Sequence, residues 1–392
     1  MKISGVALAA GPSMPVVLEI QGGRITDICT QTDTQVQWIA LPLLANMHAH
    51  IDRAYTCTSG RPKSLADAIS QAADYRRNVS QAQITERARR FVRNSLQYGV
   101  SIIRTHTDVD PLIGLRSMAA LLAMKRECTD LCKIEIVAFA NAANDLADPS
   151  ACARLEEAMA MGADWAGAAP AFSKEPKKAI ENACRIAACY GKGIDLHLDE
   201  HLNAQQTLFH SLIPMVLDHG LAAKVAISHG CSLILADADE RIEIFGKMQQ
   251  ARATLISLPE TNLYLQDRAA GVTPARRGIT LVQEALDQGV PVRLGTDNVR
   301  DWFYPFGDGD MITTAYVAAI AAQLDNPAQL VGAMCNGHNI LRVGDRADFV
   351  LLPATSFEQA ISVLHTRREV WIAGKKLLLP ESPETTLDTV LG

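Results

Sequence analysis

Asn46-Met47-His48-Ala49-His50-Ile51-Asp52 closes an apolar run that begins near Trp38. Side chains alternate along a strand with period two, so His48 and His50 face the same side. Two imidazoles placed like this grip a metal ion from one strand end. Taken alone, the pair reads more plainly as two polar residues on a half-buried strand. Four further apolar runs end in the same kind of chemistry: Arg104-Thr105-His106-Thr107-Asp108, His197-Leu198-Asp199-Glu200, Ser228-His229-Gly230 and Gly295-Thr296-Asp297-Asn298. The fold must bring these ends together if they act as one site.

Outward from this stretch, the chain alternates strand-like and helix-like segments. After the buried run Ile39–Met47 comes a long, charged, helix-periodic stretch over 64–98. Apolar runs follow at Ser101–Thr105, Lys133–Ala140, Trp165–Ala169, Gly193–Leu198, Lys224–Ser228, Ala253–Leu258 and Val290–Gly295. Each leads to a helical pattern, namely Leu115–Lys125, Ala151–Met161, Pro176–Tyr190, Gln205–His219, Ala238–Gln250, Ile279–Gln288 and Met311–Leu324. Strands alternating with helices predict a parallel sheet, and about eight of each predict a (β/α)8 TIM barrel.

Both chain ends read differently. Short runs at Ile3–Ala9, Val16–Ile20 and Ile25–Ile28 are separated by turns, and strand character returns at 343–352 and 370–375. We expect a small β-sandwich domain built from both ends, with residues 1–40 and 343–392 flanking a barrel over 41–342. The apolar start at Ile3–Ala10 is broken by Gly5 and is read as a strand rather than an export signal.

Composition restricts the partners. With 392 residues, 48% of them hydrophobic and 20% charged, the chain suits a soluble protein with a large core. A net charge of -6 argues against nucleic acid or anionic membrane as the main partner. The nine cysteines are odd in number and scattered, which suits reduced thiols and a cytoplasmic setting. No apolar run reaches membrane-spanning length. The arginines between Arg87 and Arg93 are read as a helix face, and His201, His210, His219, His338 and His365 as ordinary core or surface residues.

In a TIM barrel, the C-terminal strand ends share one mouth, and active sites sit there. His48, His50, His106, His197, His229 and Asp297 all fall at such ends, a concentration that packing does not explain.

This arrangement resembles the amidohydrolase superfamily, and within it the cytosine deaminase-like group that includes N-isopropylammelide amidohydrolase-type relatives. The motifs that carry the resemblance are His48-x-His50-x-Asp52, Arg104-Thr105-His106-x-Asp108-Val109, His197-x-Asp199-Glu200, Ser228-His229 and Gly295-x-Asp297-Asn298-Val299-x-Asp301. Others are Asn262-x-x-Leu265-Gln266-x-Arg268, Arg276-Arg277-Gly278 and the Gly344-Asp345-x-Ala347-Asp348 turn. The resemblance implies that His48, His50, His197 and Asp297 ligate one divalent ion per subunit, zinc or iron(II). Two-metal relatives carry a bridging lysine at the end of strand four; here that end is Gly167-Ala168-Ala169-Pro170, so one metal is expected.

The resemblance also implies the chemistry, a hydrolytic deamination of an amino-substituted N-heterocycle by a metal-activated water. His229 would polarise that water, Asp297 take up its proton, and Glu200 shuttle a proton to the ring and to the departing ammonia or amine. Where cytosine deaminases have a glutamine after strand three, this chain has Asn141. Beside the metal aspartate it has Asn298 instead of a second aspartate, and Phe303 next to Trp302 replaces a tryptophan. Arg53 meets the substrate or pairs with Asp108 or Asp110. Gln266 and His106 complete the expected substrate contacts.

The expected partner is therefore a small-molecule N-heterocycle, bound by a homo-oligomer. Three alternatives stand beside it. An N-substituted triazine or other cyclic amide would use the same ligand set. An amide-ring hydrolase of the dihydropyrimidinase type is disfavoured by the missing lysine, and a non-catalytic paralogue by the complete ligand set.

Overall fold

A computed structural model of the chain describes residues 1–11, 13–57, 62, 65–268, 276–363 and 368–378. His365 and the expected segment beyond Leu378 lie outside the described residues, as does the middle of the long stretch after the seventh barrel strand.

An eight-stranded sheet runs in strict sequence order. Its strands are Leu44–Ala49, Val100–Asp108, Lys133–Ala140, Trp165–Ala168, Gly193–Leu198, Val225–His229, Thr254–Ser257 and Val292–Leu294. All neighbours pair in parallel. The last strand returns to the first: Asp297 N–H donates to His48 O at 2.8 Å, and His50 N–H to Asp297 O at 3.3 Å. The sheet thus closes into the expected TIM barrel. Helices such as Pro176–Cys189 pack outside, with Ile180, Ala183 and Ala187 buried on one face at helical spacing.

A second, seven-stranded sheet joins both chain ends. Trp38–Pro42 is its centre, parallel to Lys2–Leu8 and antiparallel to Phe349–Leu352. Val6, Leu18, Ile25, Phe349 and Leu351 form a core separate from the barrel's.

Several elements differ from the sequence expectation. The run Ile39–Met47 is two strands: Trp38–Pro42 belongs to the end-built sheet, and the first barrel strand starts at Leu44. Pro42 has no N–H for a ladder, and the chain changes sheets there. The 64–98 stretch is two helices, Leu65–Asn78 and Gln81–Gln97. Ser80 caps the second: its side chain accepts Gln83 N–H while the Gln83 side chain accepts Ser80 N–H. That reciprocal pair requires an extended Ser80 backbone, which interrupts the helix. The helix expected over Gln205–His219 begins only at Phe209, because Asn203 caps a short turn over Ala204–Gln206. Short helices Pro259–Leu265 and Pro327–Met334, each with proline in its first turn, were not expected.

The nine cysteines form no disulfide. No described helix is long and apolar enough to cross a membrane.

Candidate active site

The strand ends carry the chemistry to one mouth. His48 comes from the first strand and His50 directly follows it, His197 comes from the fifth, His229 from the sixth, and Asp297 follows the eighth. Gly295 lets the last strand lie against the first, since a Cβ there would sit 2.7 Å from His48 Cβ and backbone. Asp199, His229 and Asp297 have φ of 53°, 74° and 58°. Non-glycine residues in this region are strained, and such strain collects where a fold must aim a side chain.

His50 donates Nδ1–H to His106 O at 3.1 Å, so its Nε2 is a lone pair. That Nε2 lies 3.2 Å from His197 Nε2 and 3.3 Å from Asp297 Oδ1. His48 Nε2 lies 3.5 Å from the same oxygen and has no hydrogen-bond partner. Burial pushes the His48 and His197 imidazoles well below their usual range, and His50 to about 4. Burial alone would raise Asp297, but its close contacts with the His48 and His50 rings outweigh that and hold the carboxyl well below the usual carboxylate range. Neutral imidazoles crowded around one carboxylate, with an orphaned ring nitrogen, fit a divalent cation.

Glu200 stands beside this quartet, its Oε2 3.6 Å from His229 Nε2. Burial raises the Glu200 carboxyl. His229 donates Nδ1–H to Asn262 Oδ1 at 3.0 Å, which leaves Nε2 as the basic nitrogen facing Glu200. Glu200, His229 and Asp297 converge as a second group of polar side chains on the same spot. The arrangement is suited to passing a proton between a carboxyl group and a molecule held over the quartet.

Above it opens a cavity of about 490 Å³. Phe139, Phe172 and Leu265 supply apolar wall, and Gln266, Trp302 and Phe303 line the cavity as well. Arg53 and Asn298 share one anchor: Asp301 Oδ2 accepts Arg53 Nε–H at 3.2 Å and Asn298 Nδ2–H at 2.7 Å. Arg53 Nη1 also reaches Asp108 at 3.5 Å, and its guanidinium lies 5.0 Å over Phe303. Trp302 packs against Tyr75.

Two expected substrate contacts are spent elsewhere. His106 does not line the cavity; it is buried beneath it, stacked on His48 with ring centroids 3.8 Å apart. Residues 104, 106 and 108 all point inward from a long strand, and 106 falls one layer too deep. Asn141 lines the cavity, but its Nδ2 donates to Asp108 at 2.9 Å and Asp110 at 2.8 Å, and its Oδ1 accepts Ala143 N–H. Its amide holds two carboxylates in place.

Asp301 and Asn262 stand in the motifs without a role read for them; the structure has Asp301 hold Arg53 and Asn298, and Asn262 hold His229. His201, read as ordinary, lines the cavity. Its position next to Glu200 was the available signal. His210 and His219 do pair with surface glutamates.

Residues 79–377 match the amidohydrolase family. The chain is 29% identical over 370 residues to a pterin deaminase from Rhizobium rhizogenes, covering 90% of this chain and 83% of that protein. It is 24% identical over 348 residues to an N-isopropylammelide isopropyl amidohydrolase from Pseudomonas, covering 82% and 81%. The crystal structure of a 5-methylcytosine deaminase from Klebsiella pneumoniae liganded with 5-fluorocytosine superposes with a TM-score of 0.85, at 25% identity, covering 99% of this chain and 100% of that one.

Proposed function

This chain belongs to the amidohydrolase family, and on that premise we propose that it hydrolytically deaminates an amino- and oxo-substituted N-heterocycle larger than one pyrimidine ring. The observation that carries the reading is the quartet His48, His50, His197 and Asp297, of which His50, His197 and Asp297 line the cavity together with Glu200. In this reading the quartet holds one divalent ion, and zinc and iron(II) both accept three imidazoles and a carboxylate. Such an ion supplies an acidified water as nucleophile.

The chain's own residues do the rest. Glu200, whose carboxyl burial shifts toward its protonated form, gives its proton to a ring nitrogen, receives from Asp297 the proton taken from the water, and passes that one to the departing amine. His229 Nε2, its tautomer fixed by Asn262, accepts a hydrogen bond from the attacking water. Asp297 holds the ligands together and takes up the water's proton.

Substrate size and edge follow from the cavity. Cavities of roughly 300–1,000 Å³ take drug-sized ligands, so one of about 490 Å³ has room beyond a six-membered ring. Arg53 Nη2 and Asn298 Oδ1 make no hydrogen bond among the described residues and sit side by side on Asp301. A donor beside an acceptor reads a lactam edge, O=C–N–H. The similarity to a pterin deaminase supports a bicyclic amino-oxo ring. The apolar wall of Phe172 and Leu265 favours a second reading, loss of an alkylamine from an N-alkylated triazine.

The test is amine release by protein loaded separately with zinc and iron(II), offered pterin, cytosine and N-isopropylammelide, with Glu200→Gln as the blank. Turnover of pterin above the blank supports the proposal. Turnover of cytosine alone overturns the size argument, and of N-isopropylammelide alone selects the second reading. No turnover of any ring by metal-loaded protein overturns the deaminase reading.

A further inference from the structure

Below the cavity floor, a second set of polar side chains fills the barrel interior. Arg104, His106, Asp195 and Ser228 are buried there, where branched apolar residues ordinarily stack. Arg104 Nη1–H donates to Asp195 Oδ2 at 3.0 Å. Arg104 also binds Glu135 at 2.9 Å and lies 4.0 Å over the Trp165 ring. Asp195 Oδ1 accepts Ser228 Oγ–H at 3.1 Å and faces His106 Nε2 at 3.4 Å. Ser228 Oγ lies 2.8 Å from His48 Nδ1.

The direction of this chain is forced. A serine has one hydroxyl hydrogen, and a carboxylate paired with arginine only accepts. The hydrogen therefore points at Asp195, and Ser228 Oγ must accept from His48. His48 then carries its proton on Nδ1, and Nε2 is left as a lone pair facing Asp297. His50 receives the same tautomer from the His106 carbonyl, which no side-chain change removes. His48 depends on side chains alone.

We propose that Asp195 is a positioning residue: through Ser228 it sets the tautomer of His48 before any ion arrives, and so sets the metal affinity of the site. The inference rests on reading His48 as a ligand. Partners behind metal-binding histidines change affinity by roughly 10–100-fold when removed. Arg104, Glu135 and Trp165 extend the chain to the barrel's lower end and hold Asp195 in place.

The test compares Ser228→Ala and Asp195→Asn with Ser257→Ala, a buried serine on the next strand. Metal-free proteins are checked for folding by circular dichroism, and zinc affinity is read by chelator competition. Ser228→Ala should bind zinc about 10–100-fold more weakly, and Ser257→Ala unchanged. Asp195→Asn should move the same way; since it strips Arg104 of a partner and can fail to fold, Ser228→Ala carries the test. Nitrogen-15 histidine spectra of the metal-free parent should show the His48 proton on Nδ1, and Ser228→Ala a mixture. Unchanged zinc affinity in Ser228→Ala, an equal loss in Ser257→Ala, or a parent His48 protonated on Nε2 overturns the inference. A parent that binds neither zinc nor iron(II) overturns the metal reading instead, and the metal-free spectra still judge the tautomer.

Discussion

Replacing Arg53 by methionine should damage the fold and the reaction separately, and by different amounts. Arg53 is buried, with Nε donating to Asp301 at 3.2 Å and Nη1 3.5 Å from Asp108. Breaking a buried ion pair costs about 3–5 kcal/mol when the surviving charge is left uncompensated. Neither carboxylate is left so here. Asp301 keeps Asn298 at 2.7 Å and the N–H groups of Phe303 and Tyr304. Asp108 keeps Asn141 at 2.9 Å and Arg76 at 3.8 Å. The loss should therefore fall at the low end, about 3 kcal/mol, read by urea unfolding extrapolated to water. On the proposed lactam-edge reading, the reaction loses a different bond, from Nη2 to the substrate. A hydrogen bond from a charged donor contributes about 1.5–3 kcal/mol, or roughly 10–150-fold in kcat/KM. Arg53→Lys keeps the charge without the planar fork, so it should recover stability better than kcat/KM. A stability change under about 1 kcal/mol would refute the ion-pair account. A fully folded variant with unchanged kcat/KM would refute the donor account.

Glu200→Gln keeps the shape and removes the transferable proton, so kcat should fall by about 10²–10⁴ while product affinity stays within a few-fold. Stopped assays and calorimetry read the two; an unchanged kcat sinks the shuttle. Burial raises Glu260 to about 7, against a Thr314 hydroxyl donating at 2.7 Å. The folded state then holds a proton that the unfolded chain releases, so this contribution is favourable below pH ~4.5 and lost as pH rises to ~7. Glu260→Gln should match the parent near pH 4 and exceed it near pH 8, by at most about 3 kcal/mol and less with solvent screening. Equal stability at both pH values would remove the effect. Stripping the metal should abolish turnover, and zinc at about 100 times its Kd should restore about 2.7 kcal/mol of stability. His48→Ala should show almost none of that gain, and the parent's affinity should weaken as pH falls and the imidazoles protonate. A Tm indifferent to zinc would count against the quartet.

The clustering of His48, His50, His197 and Asp297 was legible because its signals are local: each residue ends an apolar run, and the barrel gives all such ends one address. Asp301 and Asn262 were visible as motif members but their roles were not, because Asp301 holds Arg53 from 248 residues away and Asn262 holds His229 from 33 residues away. Depth was also hidden. His106 has the same strand-end signature as His48, and only the length and stagger of its strand put it under the floor rather than in the wall. The two broken elements had signals that were overridden. Ser80-x-x-Gln83 is a helix start inside a charged periodic stretch, and Pro42 is a ladder stop inside an apolar one. In both, a continuous pattern of polarity masked a single residue whose backbone demand prevails.

Closure of the barrel between its first and last strands has a consequence for how the protein is made. His48 cannot pair with Asp297 until 248 further residues after Ala49 have left the ribosome. At about 5–20 residues per second, that interval lasts roughly 12–50 s. Throughout it the edge of Leu44–Ala49 stands unpaired, an apolar strand open to foreign partners. The quartet is likewise split, with the imidazoles of His48, His50 and His197 waiting for the Asp297 carboxylate that completes it. On the proposed metal reading, the quartet can take up its ion only after this closure, so loading is a late event.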